Sequence, residues 1–184
     1  MANVQAAIEF VLKQEDEKLS GIVTKANADK GGMTRFGISA KYHPDLVRAG
    51  FYQCHRDEAL GTAIEVYRKE YAEPIMLDKV WSDVMACAML SFSILENCPP
   101  AIMRLQESLN ELGSMLKTDG SMGPKTLAAL NAASPSKLLP LYVERNRQFL
   151  IGITVSDPTQ LKWKNGWLNR CNKVLKLIER PTVQ

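Results

Sequence analysis

The sequence predicts an α+β fold, predominantly α, with a single small β-ribbon near the N-terminus. Apolar residues recur at three- and four-residue spacing along most of the 184-residue chain, the period of a helix buried on one face. Two short β-like runs, 22–24 and 33–38, flank a turn-rich stretch carrying Asn27, Asp29, Gly31 and Gly32, as a hairpin requires. No internal repeat or low-complexity tract interrupts this order.

The elements follow in sequence. Val4, Ala7, Ile8, Val11 and Leu12 predict a helix over 3–18, with Asn3 as its cap and its end near Leu19, Ser20 and Gly21. The ribbon comes next. Leu60, Ile64, Tyr67 and Tyr71 mark one stripe of a helix ended by Pro74. Residues 81–96 are apolar nearly all round, as in a buried central helix. Pro99 and Pro100 break it and open another helix that runs through Gly113; 117–124 is a Gly-rich turn, and 126–131 and 136–155 read as helix again. Asp157 caps the last helix and Pro158 sits in its first turn. There Trp163, Trp167, Cys171, Val174, Leu175 and Ile178 form one face. We read that face as core packing with a solvated basic side opposite, in preference to a membrane contact.

Composition excludes several classes. The 23 Lys and Arg against 20 Asp and Glu leave a net charge of +3, too small for a nucleic-acid footprint. No apolar run is long enough to span a bilayer. Glu9 interrupts the first apolar stretch, and the basic start of a secretory leader is missing, so synthesis in a cytoplasm is expected. An external substrate would then be reached by release through other machinery. Cys54, Cys87, Cys98 and Cys171 are scattered without Cys-x-x-Cys spacing; with His43 and His55 they read as structural, so neither a disulfide framework, a metal nor a cofactor is expected, and the chain is expected to be a monomer.

One constellation carries chemistry. Glu15 falls at the C-terminal end of the first helix, and Asp29, Gly31, Gly32, Thr34, Phe36 and Gly37 follow on the ribbon. Hydrolysis of a glycosidic bond needs a proton donor at the leaving oxygen and a second group across the sugar. A helix C-terminus carries partial negative charge, which disfavours a nearby anion and favours a carboxyl that keeps its proton. Asp29 is placed to orient or activate water, although Asp beside Lys-Gly-Gly is also ordinary turn chemistry. The Thr34 hydroxyl can hold that water, and threonine is equally a good strand residue. Gly31 and Gly32 permit close backbone approach of a substrate. Phe36 and Tyr67 suit a sugar-facing groove or the core equally. Glu17 is a reserve candidate for the acid.

These residues resemble the signature of the glycoside hydrolase family 108 muramidases, found in phage endolysins and bacterial lysozyme-like proteins. In that family a helix ends in Glu-Gly-Gly and is followed by Asp-x-Gly-Gly-x-Thr-x-x-Gly-Ile-Ser/Thr; Asp29 to Ser39 matches the second half. Tyr67, Arg68 and Tyr71 are similar to the helix after the ribbon. Leu105 and Gln106, then Asp119, Gly120, Gly123, Pro124 and Thr126, then 166–170, resemble a C-terminal portion associated with peptidoglycan binding. We read the Asp119 to Pro124 stretch itself as a structural turn.

The resemblance implies a lysozyme-like fold with a catalytic lobe over 1–98 and a helical C-terminal lobe over 99–184, packed as one globular unit. It implies cleavage of the β-1,4 bond between N-acetylmuramic acid and N-acetylglucosamine in peptidoglycan glycan strands, as in an endolysin made in a host cytoplasm and acting at the wall. Glu15 takes the position of the catalytic acid, and Asp29 and Thr34 the supporting positions. Two departures stand out. Asp16 and Glu17 replace the family glycines, and the spacing from Glu15 to Asp29 is about five residues longer. A binding or regulatory protein on the same scaffold and a lytic transglycosylase are the alternatives.

Overall fold

Asn3 starts the first helix as its side chain predicts, its Oδ1 accepting from the Ala6 N–H at 3.0 Å. The structure is a computed structural model that describes residues 1–25 and 32–179. Helix α1 spans Val4–Glu15, and β1 (Thr24–Lys25), β2 (Met33–Arg35) and β3 (Ile38–Ser39) follow. Helices α2 (Pro44–Arg48), α3 (Arg56–Tyr67), α4 (Asp83–Glu96), α5 (Cys98–Glu111), α6 (Pro124–Ala132), α7 (Pro135–Ser156) and α8 (Leu161–Leu175) complete the order. The α+β, helix-dominated expectation holds, with α2 an addition that the periodicity did not reveal.

The chain divides into two compact units, Ile8–Glu70 and Met1–Ala7 with Tyr71–Gln184.

In the unit Ile8–Glu70, α1 buries Ile8, Val11 and Leu12. The three strands form an antiparallel meander in the order β1-β2-β3. The 33–38 run, read as one strand, is two, because the chain reverses at Phe36 and Gly37. Arg35 pairs with Ile38 across this two-residue turn, and both central residues have positive φ, +49° at Phe36 and +78° at Gly37. Those signs belong to a type I′ turn, whose twist matches that of a hairpin. Helix α3 buries Ala59, Ala63, Val66 and Tyr67, while Leu60 and Ile64 are only half-buried. A single π-helical turn, Arg68–Ala72, continues α3 before Pro74.

In the other unit α7 packs against α4, α5 and α8, and α4 also packs against α5 and α8. Helix α4 is the central helix anticipated, with Met85, Ala86, Ala88, Met89, Leu90 and Phe92 buried and the Ser82 hydroxyl capping the Met85 N–H. Asn97, with φ +72°, turns the chain into α5, whose first turn holds the two prolines. Gln106, 1% exposed, locks the loop before α6. Its Nε2 donates to Asp119 Oδ1 at 3.0 Å, to the Ser121 carbonyl at 3.0 Å and to Thr126 Oγ1 at 3.2 Å, and its Oε1 accepts from the Gly120 N–H at 3.0 Å. A Cβ at Gly120 would sit 2.7 Å from the Pro99 carbonyl oxygen, so glycine is required there. The 119–126 motif is therefore a structural turn.

Along α8 the apolar face is only partly core. Cys171 and Val174 are buried and Trp167 is half-buried, but Trp163 is 42% exposed and Ile178 also lies open. Cys54, Cys87, Cys98 and Cys171 are all free thiols. Among the described residues no helix is long and apolar enough to cross a membrane.

Candidate active site

Glu15 is the last residue of α1 and is half-buried. Its stem lies on the turn between β2 and β3. A Cβ built at Gly37 would stand 2.7 Å from Glu15 Cγ, 3.0 Å from its Cβ and 2.6 Å from the Tyr67 hydroxyl. Gly37 itself is exposed, so backbone rather than side chain borders the acid on the solvent side. The glycine is needed twice, for its left-handed φ and for this contact.

Phe36 is an unusual occupant of such a turn. A bulky residue at φ +49° is strained by its Cβ, and strain of this kind persists only where the surroundings over-determine it. Here they do. The Tyr67 hydroxyl donates to the Phe36 carbonyl at 2.9 Å, and the Tyr52 hydroxyl donates to the Ile38 carbonyl at 3.2 Å. The two carbonyls flanking Gly37 are thus both fixed. The Phe36 ring fills the space over Gly21, where a Cβ would come within 2.6 Å of its Cζ.

Arg35 anchors the same turn from below. It is 5% exposed, and its Nε donates to the Gly21 carbonyl at 2.8 Å while Nη1 donates to the carbonyls of Phe51 at 2.6 Å and Cys54 at 3.0 Å. A guanidinium has five donors in a fixed fork, which suits it to gather carbonyls from separate loops. Burial and the Asp45 carboxylate push the Tyr52 phenol up to about 12, so it remains a donor at any ordinary pH.

The segment after the acid is ordered by Asp16. Its carboxylate accepts from the Gly21 N–H at 2.7 Å and from the Ser20 hydroxyl at 3.0 and 3.2 Å. Burial raises its pKa, but hydrogen bonds from Gly21 and Ser20 outweigh that and hold the carboxyl below its ordinary value. Asp16 therefore closes the 16–21 loop, and the second replaced glycine position, Glu17, is solvent-exposed.

The other anticipated site residues fall into three groups. Thr34 is half-buried on β2, in register with Thr24 on one side and Ser39 on the other. Three hydroxyl-bearing residues thus form a row across the ribbon, of which the sequence pattern singled out one. Phe36 and Tyr67 are each 2% exposed, which corrects the sugar-facing option for both. They hold the turn under Glu15 and present no open ring. Gly32, at φ +72°, has open space where a Cβ would be. Asp29 and Gly31 lie outside the described residues. Arg35 and Tyr52 are the participants that sequence reasoning missed, and Asp16, singled out there only as a replaced glycine, closes the neighbouring loop. Among the described residues no three His, Cys, Asp or Glu side chains gather as a metal site.

Comparison with known families gives two matches. Residues 8–93, which hold Glu15 and the whole ribbon, match the family model described as Glycosyl hydrolase 108. That part of the chain is similar to glycosyl hydrolase 108 domains. Residues 100–172 match a second model, described as a Predicted Peptidoglycan domain. Together they make the chain a glycoside hydrolase directed at peptidoglycan. These matches divide the chain between α4 and α5, whereas the compact units divide it at Glu70 and Tyr71. Among solved structures, Brucella abortus SagA is similar in fold, with a TM-score of 0.73 and 22% identity over 98% of each chain. The lysozyme-like architecture expected above is that fold. A search of curated proteins returned no match.

Proposed function

We propose that the protein is an N-acetylmuramidase that cleaves the β-1,4 bond between N-acetylmuramic acid and N-acetylglucosamine, with Glu15 as the proton donor. The observation that carries this reading is the position of Glu15, at a helix end and against the exposed backbone of a turn held rigid at Phe36, Gly37 and Ile38. A carboxyl that must deliver a proton to a glycosidic oxygen needs a fixed stem and a side open to substrate. The packing of the Glu15 stem on Gly37 supports the first, and its half-buried position is consistent with the second. As the bond breaks, positive charge develops on the sugar ring. Asp29 and Thr34 are the residues we assign to stabilising that charge and holding the attacking water.

A role in lysis of a bacterial host, as a phage endolysin made in the host cytoplasm and acting at the wall after release, fits this activity. The test is digestion of purified sacculi with the products read by mass spectrometry. Reducing N-acetylmuramic ends from the wild type, and none from Glu15→Gln, are the expected result. Anhydro ends would replace the reading with a lytic transglycosylase. Sedimentation with sacculi and no cleavage at all would replace it with a binding protein on the same scaffold.

A further inference from the structure

We propose a glycan-binding site at Trp81, built within the unit Met1–Ala7 and Tyr71–Gln184; it rests on the peptidoglycan reading above. Trp81 is 67% exposed, the most open of the large aromatic side chains save Tyr42. Its main chain nevertheless has little freedom. The Asn131 amide grips both sides of it, Oδ1 accepting from the Trp81 N–H at 3.0 Å and Nδ2 donating to the Lys79 carbonyl at 2.9 Å. Between them Val80 is fully buried and its carbonyl accepts from the Ala2 N–H at 2.6 Å. On the other side Ser82 is committed to capping α4. The backbone at 79–82 is thereby fixed while the indole is left in water, where it adds little to folding. Such an arrangement lowers the ordering cost of a ligand that stacks on the ring.

Two hollows border Trp81. The larger, about 520 Å³, runs between Trp81 and the face of α6 carrying Pro124, Leu127, Ala128 and Asn131. The smaller, about 180 Å³, opens toward Ser82, Leu130 and Pro135. Trp81 and Asn131 border both. The α6 residues follow helical spacing, and the small side chain of Ala128 leaves a shelf beside the ring. The larger volume falls in the range of roughly 300–1,000 Å³ common to small-ligand sites.

The chemistry favours a sugar chain. A pyranose offers an apolar C–H face to an aromatic ring and polar groups at its edge, and here the apolar floor is rimmed by Lys79 and Ser82. One indole above a nine-residue helix is too small a surface for a stable protein interface, which needs about 800 Å² from each partner. The α6 wall also lies inside the residues that match the peptidoglycan domain. A glycan strand laid along α6 would place neighbouring sugars in the two hollows that Trp81 and Asn131 share.

The experiment uses the full chain and glycan strands stripped of their stem peptides. Trp81→Ala and, independently, Ala128→Lys should each weaken sedimentation with these strands at least tenfold. Melting temperature and turnover of short soluble glycan fragments should stay at wild-type values. If both variants bind peptide-free strands like a wild type that binds and cleaves sacculi, the site is wrong and the enzymatic reading survives. If they lose binding only to intact sacculi, the ligand is the stem peptide and the proposal falls. A wild type that neither binds nor cleaves any wall preparation overturns both.

Discussion

Glu15 and Glu96 each end a helix, α1 and α4, yet their surroundings differ in every respect that matters for chemistry. Glu15 is half-buried, with the backbone of an exposed turn beside it. The Glu96 side chain is 1% exposed; its Oε2 accepts from Arg104 Nε at 3.1 Å and stands 2.8 Å from Nη2 as an ion pair. Arg104 in turn lies 3.6 Å from the centroid of the Phe149 ring. Burial pushes the Glu96 carboxyl up to about 7, against the lowering pull of Arg104. By proton retention alone Glu96 looks like a general acid. It has no route to a substrate, and it lies outside the segment matching the glycosyl hydrolase. The comparison teaches that a retained proton identifies a catalytic acid only where a sugar can reach it.

This contrast can be broken by experiment. The largest effect is expected at Glu15: Glu15→Gln should lower sacculus digestion by ~10³-fold or more, the usual scale for loss of a general acid, while Glu96→Gln should leave the rate near wild type. Comparable losses from both would erase the distinction. For stability the order reverses. Glu96→Ala strands the buried Arg104 guanidinium and should cost ~3–5 kcal/mol in denaturant unfolding, against well under 1 kcal/mol for Glu15→Ala; equal costs would sink the pairing argument.

The pH dependence sharpens the same contrast. The native Glu96 keeps its proton up to about 7, above the ordinary 4.5 at which the unfolded chain releases it. The folded state therefore binds more protons across that window, and stability falls as pH rises from about 4.5 to about 7. The full loss is ~3 kcal/mol. In Glu96→Gln that slope should flatten, and an unchanged slope in thermal melts from pH 5 to 8 would show that Glu96 is not its source.

Gly37→Ala probes the turn beneath Glu15. Its φ of +78° and the two short contacts predict a loss of ~1–3 kcal/mol and a clear fall in kcat, with both absent if the turn is soft. The smallest effect belongs to Tyr67→Phe, which strips the Phe36 carbonyl of its donor. About 1 kcal/mol of stability should go, with a modest drop in kcat at unchanged KM.

What the sequence revealed and what it hid divide along physical lines. Asn3 as cap, the all-round apolar α4 and the two prolines opening α5 were legible because local chemistry decides them. The position of Glu15 near the end of a periodic helix was legible for the same reason. The break in the 33–38 run was hidden because Phe36 occupies a position where Asn or Gly would have announced a turn. Arg35 was hidden for another reason. A charged strand residue reads as solvent-facing, and its carbonyl partners at Gly21, Phe51 and Cys54 lie 14 to 19 residues away. Tyr67 was placed on the correct helix, but only the fold shows that its ring is buried and its hydroxyl holds the Phe36 carbonyl.

The seat of the Phe36 ring over Gly21 ties two distant positions into one unit of change. A side chain acquired at 21 collides with the ring, and a smaller residue at 36 relaxes the turn but leaves a void above the glycine. Neither step is neutral alone, so sequence drift at this corner has to proceed in matched pairs. An engineer wishing to stiffen the ribbon should begin with 21 and 36 together.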